Sequence, residues 1–161
     1  TDPARHGLLA SPFGWDGQPA RAHTWIEHGV LRELDYDRFW AQKQGVRATG
    51  PVGNLILEGG TGSVDDLVRA TDRAVLVTRF WYIRFVDPQT ILLTGLTRDG
   101  VFWVEDGAIR HAVKNFRFNE SPVIMLNNIE ELGKPVRVAG DESSFVMMIP
   151  PMKLRDLKKW R

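Results

Sequence analysis

The chain has 161 residues, 43% of them hydrophobic and 25% charged, enough apolar material for a buried core and far from the composition of a disordered segment. A formal net charge of +1 gives no global field that would point to nucleic acid, an anionic membrane or acidic substrates, so any partner must be read from local features. With no cysteine there is no disulfide, no thiolate metal ligand and no cysteine nucleophile.

The longest apolar runs, such as residues 74–77 and 146–149, fall far short of the roughly 20 residues that cross a bilayer. No membrane segment is expected, and the reading is a cytoplasmic protein. One domain over residues 1–161 is the default at this length. The opening Thr1-Asp2-Pro3-Ala4-Arg5 has neither an initiator methionine nor a signal pattern, so the chain is expected to begin inside a longer protein.

Residues 22–37 predict a hairpin turning at His28-Gly29, followed by a short helix that Asp37 caps and Gly45 ends, with Phe39 and Trp40 anchored in core. A strand at 55–57 leads into the glycine-rich 58–62, read as a flexible loop. Ser63 opens a helix over 64–71, with Asp65 and Asp66 where the helix dipole favours negative charge and Leu67, Val68 and Ala70 on its apolar side. Residues 74–113 then turn strongly β. Strands at 74–86, 91–98, 101–105 and 108–113 form an antiparallel meander whose last two turns are Asp99-Gly100 and Asp106-Gly107. Ser121-Pro122 starts a helix over 122–132, with Met125, Leu126, Ile129 and Leu132 on one face and Gly133 at its end. Strands at 135–138 and 145–149 and a basic, solvated tail from Lys153 to Arg161 complete an α+β chain. It is predominantly antiparallel, with two or three short helices and a barrel-like closure left open.

None of His6, His23, His28 and His111 stands in the helical spacing of a zinc hydrolase. His23 and His28 could converge with Glu27, but five residues of strand place them on opposite faces, so ordinary strand and turn roles are preferred. The glycine run before Ser63 has the position of a phosphate cradle but lacks its lysine, and Asp65 and Asp66 would repel a phosphate. The string 78–85 carries more promise. Alternation puts Thr78, Phe80, Tyr82 and Arg84 on one face and Arg79, Trp81, Ile83 and Phe85 on the other, both apolar enough to be covered. Its arginines suit bidentate contact with a peptide carboxylate or phosphate, although pairing with internal acids is the plainer role. Asn115, Arg117 and Asn119 form a second polar set, suited to tying loop backbone together or to contacting a ligand.

Three stretches resemble the C-terminal region of the TldD/PmbA family. They are Leu8-Leu9-Ala10-Ser11-Pro12-Phe13 with Gly29-Val30-Leu31 and Tyr36-Asp37-Arg38; Thr78-Arg79-Phe80-Trp81-Tyr82 with Asp87-Pro88-Gln89-Thr90 and Leu93-Thr94-Gly95-Leu96-Thr97-Arg98-Asp99-Gly100; and Val113-Lys114-Asn115-Phe116-Arg117-Phe118-Asn119-Glu120-Ser121. The resemblance implies a peptide-processing system in which a zinc-binding subunit and a related metal-free subunit pair as a homo- or heterodimer around an enclosed cleft. It places the zinc helix, a His-Glu-x-x-x-His pattern, upstream of this chain, and a further cysteine ligand near the C-terminus. Ala139, before Gly140, stands at that cysteine's position and cannot ligate, which favours a metal-free or divergent member with no cofactor of its own.

On the same ground Arg79, Tyr82, Arg84, Asn115, Arg117 and Asn119 are the expected peptide contacts, and no catalytic or metal residue is assigned. The family's label as a modulator of DNA gyrase is set aside, since no nucleic-acid footprint is visible. The alternative function is a non-enzymatic module that holds a protein partner through an exposed sheet edge.

Overall fold

A computed structural model describes residues 1–138 and 146–157. In chain order the elements are β1 (Ile26–Glu27), β2 (Val30–Leu31), α1 (Arg38–Gln44), β3 (Asn54–Ile56), α2 (Val64–Arg69), β4 (Arg73–Asp87), β5 (Leu92–Glu105), β6 (Ala108–Ala112), β7 (Arg117–Glu120), α3 (Pro122–Asn127), β8 (Ile129–Leu132), β9 (Val136–Val138), β10 (Val146–Ile149) and β11 (Met152–Leu154). They fall into two compact units, Thr1–Glu58 with Val136–Ile149 and Gly59–Pro135 with Pro150–Arg161. The fold is α+β and mostly antiparallel, with three short helices and no closed barrel among the described residues.

In the first unit, β1 and β2 form the expected hairpin. His28 and Gly29 both take positive φ, 50° and 77°, the mirror-image turn that matches strand twist. Asp37 caps α1 by accepting a 2.7 Å bond from the Trp40 amide, and Gly45 ends it at φ 65°. The aromatics of this helix are not core. Its seven residues bury only Ala41, and Phe39 and Trp40 lie exposed beneath the Lys43 ammonium, 4.5 and 5.0 Å from their ring centroids. The sheet here has the order β3-β10-β9, with β3 parallel to β10 and β9 antiparallel to it. Asn54, fully buried at the start of β3, donates 2.7 Å bonds to the carbonyls of Asp2 and Leu8. Its Oδ1 accepts from the Thr1 hydroxyl and the Asp2 amide. That side chain replaces, for residues 1–8, the ladder bonds a strand would have supplied.

In the second unit, β4 and β5 form a long antiparallel ribbon, and the outer side of β5 carries β6 along one half and β7 along the other. Asp106-Gly107, at φ 50° and 72°, makes the expected hairpin turn between β5 and β6. Asp99-Gly100 does not turn the chain. β5 runs through it because β4 is long enough to pair on both sides of the dipeptide.

Helix α2 has a full capping box: the Ser63 hydroxyl accepts from the Asp66 amide while the Asp66 carboxylate accepts from the Ser63 amide. Those bonds, together with the Ser63 hydroxyl and Arg69, hold the Asp66 carboxyl down at about 2. Helix α3 ends at Asn127, and Ile129–Leu132 then forms β8 against β11, so the helix expected over 122–132 is half its length. The Ser121 hydroxyl caps nothing and instead donates 3.2 Å to the Thr90 carbonyl. Part of the expected basic tail is β11, where Lys153 donates to the Ala70 carbonyl; residues 158–161 lie outside the described residues.

The glycine-rich loop is packed against backbone. A Cβ on Gly59 or Gly60 would come within 2.4 Å of the Gly133 carbonyl or 2.3 Å of the Leu132 carbonyl. The Gly60 amide is spent on Gly133. Close approach, not flexibility or phosphate binding, accounts for these glycines.

Candidate functional site

The β4–β5 ribbon is interrupted by bulges, and they decide which side chains share a face. Trp81 pairs with Leu96 and Arg84 with Thr94, so Tyr82 and Ile83 together oppose the single residue Gly95. Tyr82, at φ 56°, is the left-handed residue of this bulge. Because Leu96 and Thr94 are two apart, they point the same way, and so do Trp81 and Arg84. A second bulge sets Asp99 (φ 66°) and Gly100 against Thr78. Strict alternation separated Arg79 from Arg84; the extra residue at Tyr82 reunites them.

One face of the sheet therefore carries successive rows: Arg79 beside Arg98; Trp81, Leu96 and Arg117; Arg84, Thr94 and Asn119. The opposite face holds Phe80, Ile83, Thr97, Phe118 and Glu120. Thr97, Phe118 and Glu120 are 2–3% exposed, and the Phe80 and Phe118 rings meet at 4.8 Å. The core lies behind the site, and the string 78–85 is not covered on both sides: Tyr82 and Phe85 are exposed.

On the open face the guanidinium of Arg98 stacks 4.1 Å from the Trp81 ring centroid, and that of Arg84 lies 4.3 Å from the Tyr82 ring while donating to the Ile83 carbonyl. Arg79 donates to Asp99 at 2.8 Å, the internal pairing that the sequence made the plainer role, and Asp99 also lies 3.6 Å from Arg98. Arg117 donates to the Thr94 hydroxyl. The Oδ1 of Asn119 is buried with no hydrogen-bond partner among the described residues. Asn115 accepts from the Thr97 hydroxyl, the Thr97 amide donates to the Phe116 carbonyl and the Phe116 amide to the Thr97 hydroxyl, so the loop into β7 is pinned to β5. A groove of about 220 Å³ runs among Trp81, Leu96, Arg98, Asn115 and Arg117. At the far end the Asp87 carboxylate turns into its own loop. The Thr90 hydroxyl first, then the Gln89 amide, hold it below the usual carboxylate range.

All six expected contact residues thus lie on or beside one face. Trp81 and Arg98 were missed; both stand in the quoted strings, Trp81 assigned to the other face from Tyr82 and Arg84 and Arg98 taken as the end of a strand.

The histidines do not converge. The His23 ring nitrogens face Glu33 at 2.5 Å and the Thr49 carbonyl at 2.9 Å, and the ring stacks on Trp25. His28 occupies a turn and His111 lies on exposed β6. An open depression of about 410 Å³ in the first unit is lined by residues 31–34, 36, 46, 47 and 49, where the Thr49 hydroxyl bonds to Asp35 and the Thr49 amide to the Tyr36 carbonyl. No group of three or more metal-binding side chains comes together among the described residues, and the sequence has no thiol. Ala139 and Gly140 lie outside the described residues. No helix among the described residues is long and apolar enough to cross a membrane.

The profile of the PmbA/TldA metallopeptidase C-terminal domain matches residues 1–158. The metalloprotease PmbA of Escherichia coli O157:H7 is 24% identical over 153 residues, 92% of this chain and 33% of that protein. The fold is shared with TldE from Thermococcus kodakarensis, with a TM-score of 0.81 and 22% identity over 98% of this chain and 38% of that one. It is shared also with a protein from Thermotoga maritima described as a candidate modulator of DNA gyrase, with a TM-score of 0.75 and 24% identity over 93% and 35%. The chain spans about a third of the length of these relatives. It belongs to the TldD/PmbA family, as that family's C-terminal domain.

Proposed function

We propose that residues 1–161 act as one C-terminal domain of a cytoplasmic TldD/PmbA-type metallopeptidase or of its metal-free partner subunit, and that the domain shapes a peptide-processing cleft and a subunit interface. The observation that carries this reading is the open sheet face on which Arg79, Tyr82, Arg84, Arg117 and Asn119 gather beside a groove, in a chain whose family is named for metallopeptidases. Alanine at position 139 supports the metal-free assignment, since zinc, if used, would be held by the upstream part of the parent or by a related subunit. The chain's own part is then to hold peptide, through guanidinium and amide donors fixed on a rigid sheet.

The test combines the purified chain with a zinc-binding subunit of the same family. Complex formation is followed by sedimentation and hydrolysis with an unfolded polypeptide. Association with hydrolysis that neither component shows alone is the expected result. One tightly held zinc per chain, or hydrolysis by the chain alone, would overturn the division of labour.

A second reading rests on a specific feature: among the described residues β4 is an edge strand, fifteen residues long with Tyr82, Phe85 and Val86 exposed, a template for strand addition by a non-enzymatic protein partner. Binding of a folded partner with no effect on any peptidase would favour it.

A further inference from the structure

Resting on the peptide-cleft reading, we infer that the open sheet face selects acidic peptide segments, specifically extended ones with carboxylates at alternate residues.

Charge is the first argument. Along the rows from Arg98 to Thr94, the guanidinium groups of Arg84, Arg98 and Arg117 share the face with one carboxylate among the described residues, Asp99, which Arg79 also engages. Asp99 is shared between Arg79 and Arg98, so the excess cation lies toward Arg84 and Arg117. The chain as a whole is nearly neutral, which makes this a local concentration.

Spacing is the second. Arg98, Arg117 and Arg84 stand on three successive rows of one face, each row two residues of β5 from the next, about 6–7 Å along the strand. An extended peptide lying along β5 presents its own alternate side chains at the same repeat. Arg98 stands on β5, with Arg84 on β4 and Arg117 on β7 about 5 Å to either side, an offset that the long arginine side chains span, so glutamates at i, i+2 and i+4 would meet one arginine each.

The covered aromatic faces favour a peptide over a nucleic acid. Single strands are bound by stacking bases on open aromatic faces. Here the Trp81 and Tyr82 rings are stacked by the guanidinium groups of Arg98 and Arg84 at 4.1 and 4.3 Å. A guanidinium over a ring face still carries several N–H donors, and Arg84, which spends one on the Ile83 carbonyl, retains others for a carboxylate. The rings orient the arginines; they do not offer platforms to bases.

The experiment measures binding to the intact chain by fluorescence polarisation. The probes are a labelled, C-terminally amidated peptide alternating Ser and Glu, its counterpart alternating Ser and Gln, and a short single-stranded DNA. An exposed arginine–carboxylate contact changes affinity about two- to fivefold, so three should favour the Glu peptide by about tenfold or more at low salt, with the preference shrinking as salt rises. Arg98→Gln and Arg117→Gln should each lose about two- to fivefold for the Glu peptide. Arg110→Gln, on β6 and paired with Asp106, should lose nothing. These exposed substitutions are checked by circular dichroism for retained fold. Equal binding of the Glu and Gln peptides, or indifference of the Glu peptide to Arg98→Gln and Arg117→Gln, overturns the acidic preference and leaves the peptide cleft standing. Failure of both peptides to bind, whether or not the DNA binds, overturns both.

Discussion

Gly95 lies on β5 opposite the two-residue bulge, facing the buried side of the sheet, and replacing it by alanine probes how tightly the site is backed. A Cβ there would lie 2.6 Å from Phe118 Cζ, 2.7 Å from Cε1 and 3.4 Å from Ile83 Cγ1. The first two distances cannot persist, so the ring or strand β7 must move. Phe118 is 3% exposed and already rests against Phe80 at 4.8 Å, which leaves no empty side to turn into. Overpacking of this kind costs about 1–3 kcal/mol, and the lower backbone entropy of alanine in the unfolded chain offsets about 0.5–1 kcal/mol. Gly95→Ala should therefore destabilise by up to about 2.5 kcal/mol, centred on about 1 kcal/mol, a fall in Tm of about 2–4 °C per kcal/mol for a chain of this size. Thermal and urea unfolding measure it. The decisive control is Phe118→Leu, which removes the atoms that clash. In that background Gly95→Ala should cost at least about 1 kcal/mol less, a coupling expected of residues in contact. An unchanged Tm for Gly95→Ala, or the same loss with and without Phe118, would refute the packing argument.

Three further outcomes are expected. Asp66→Asn tests the capping box by pH: the folded carboxyl titrates near 2 against 3.8 unfolded, so its stabilising effect is present above about pH 4 and lost as pH falls toward 2. The difference in Tm between parent and Asp66→Asn should accordingly shrink over that window, and a constant difference would exclude the linkage. Asn54→Leu removes the donor to the Leu8 carbonyl and one of the donors to the Asp2 carbonyl and should destabilise by about 1–3 kcal/mol, read by urea unfolding, because a buried backbone carbonyl loses its partner. Asp99→Asn keeps a residue tolerant of φ 66° while removing the carboxylate that pairs with Arg79 and Arg98, and should tighten binding of the Ser-Glu peptide about two- to fivefold with little change in fold.

How much of this could be read from the sequence depended on whether the deciding partner was local. The His28-Gly29 and Asp106-Gly107 turns and the Asp37 and Ser63 caps were legible because each is settled within a few residues by φ and by a short polar side chain. The apolar spacing of Met125, Leu126, Ile129 and Leu132 suits a helix, but half of that segment pairs as β8 with β11, a strand hidden in what looked like a solvated tail. Short apolar runs do not separate helix from strand when the partner is distant. The parallel β3–β10 pair joins residues about ninety positions apart, and no local pattern announces it.

The two Asp-Gly dipeptides make the same point within one strand. Both aspartates take positive φ, 66° at Asp99 and 50° at Asp106, so the local chemistry is alike. What differs is the neighbour: β4 extends past Asp99 and pairs on both sides of it, turning a would-be hairpin into a bulge. The same reasoning governs the site. Alternation assigns faces by parity and holds only while no residue is inserted. Tyr82 is the inserted residue, and a non-glycine side chain at φ 56° costs roughly 1–2 kcal/mol. Its ring lies under the Arg84 guanidinium and 5.5 Å from Trp81, contacts that offset part of the cost. The candidate contact residues could thus be named from the string, while their assembly on one face depended on a backbone irregularity that parity alone does not register. The acidic-peptide inference follows from that irregularity, because without it Arg84 would point away from Arg98 and Arg117.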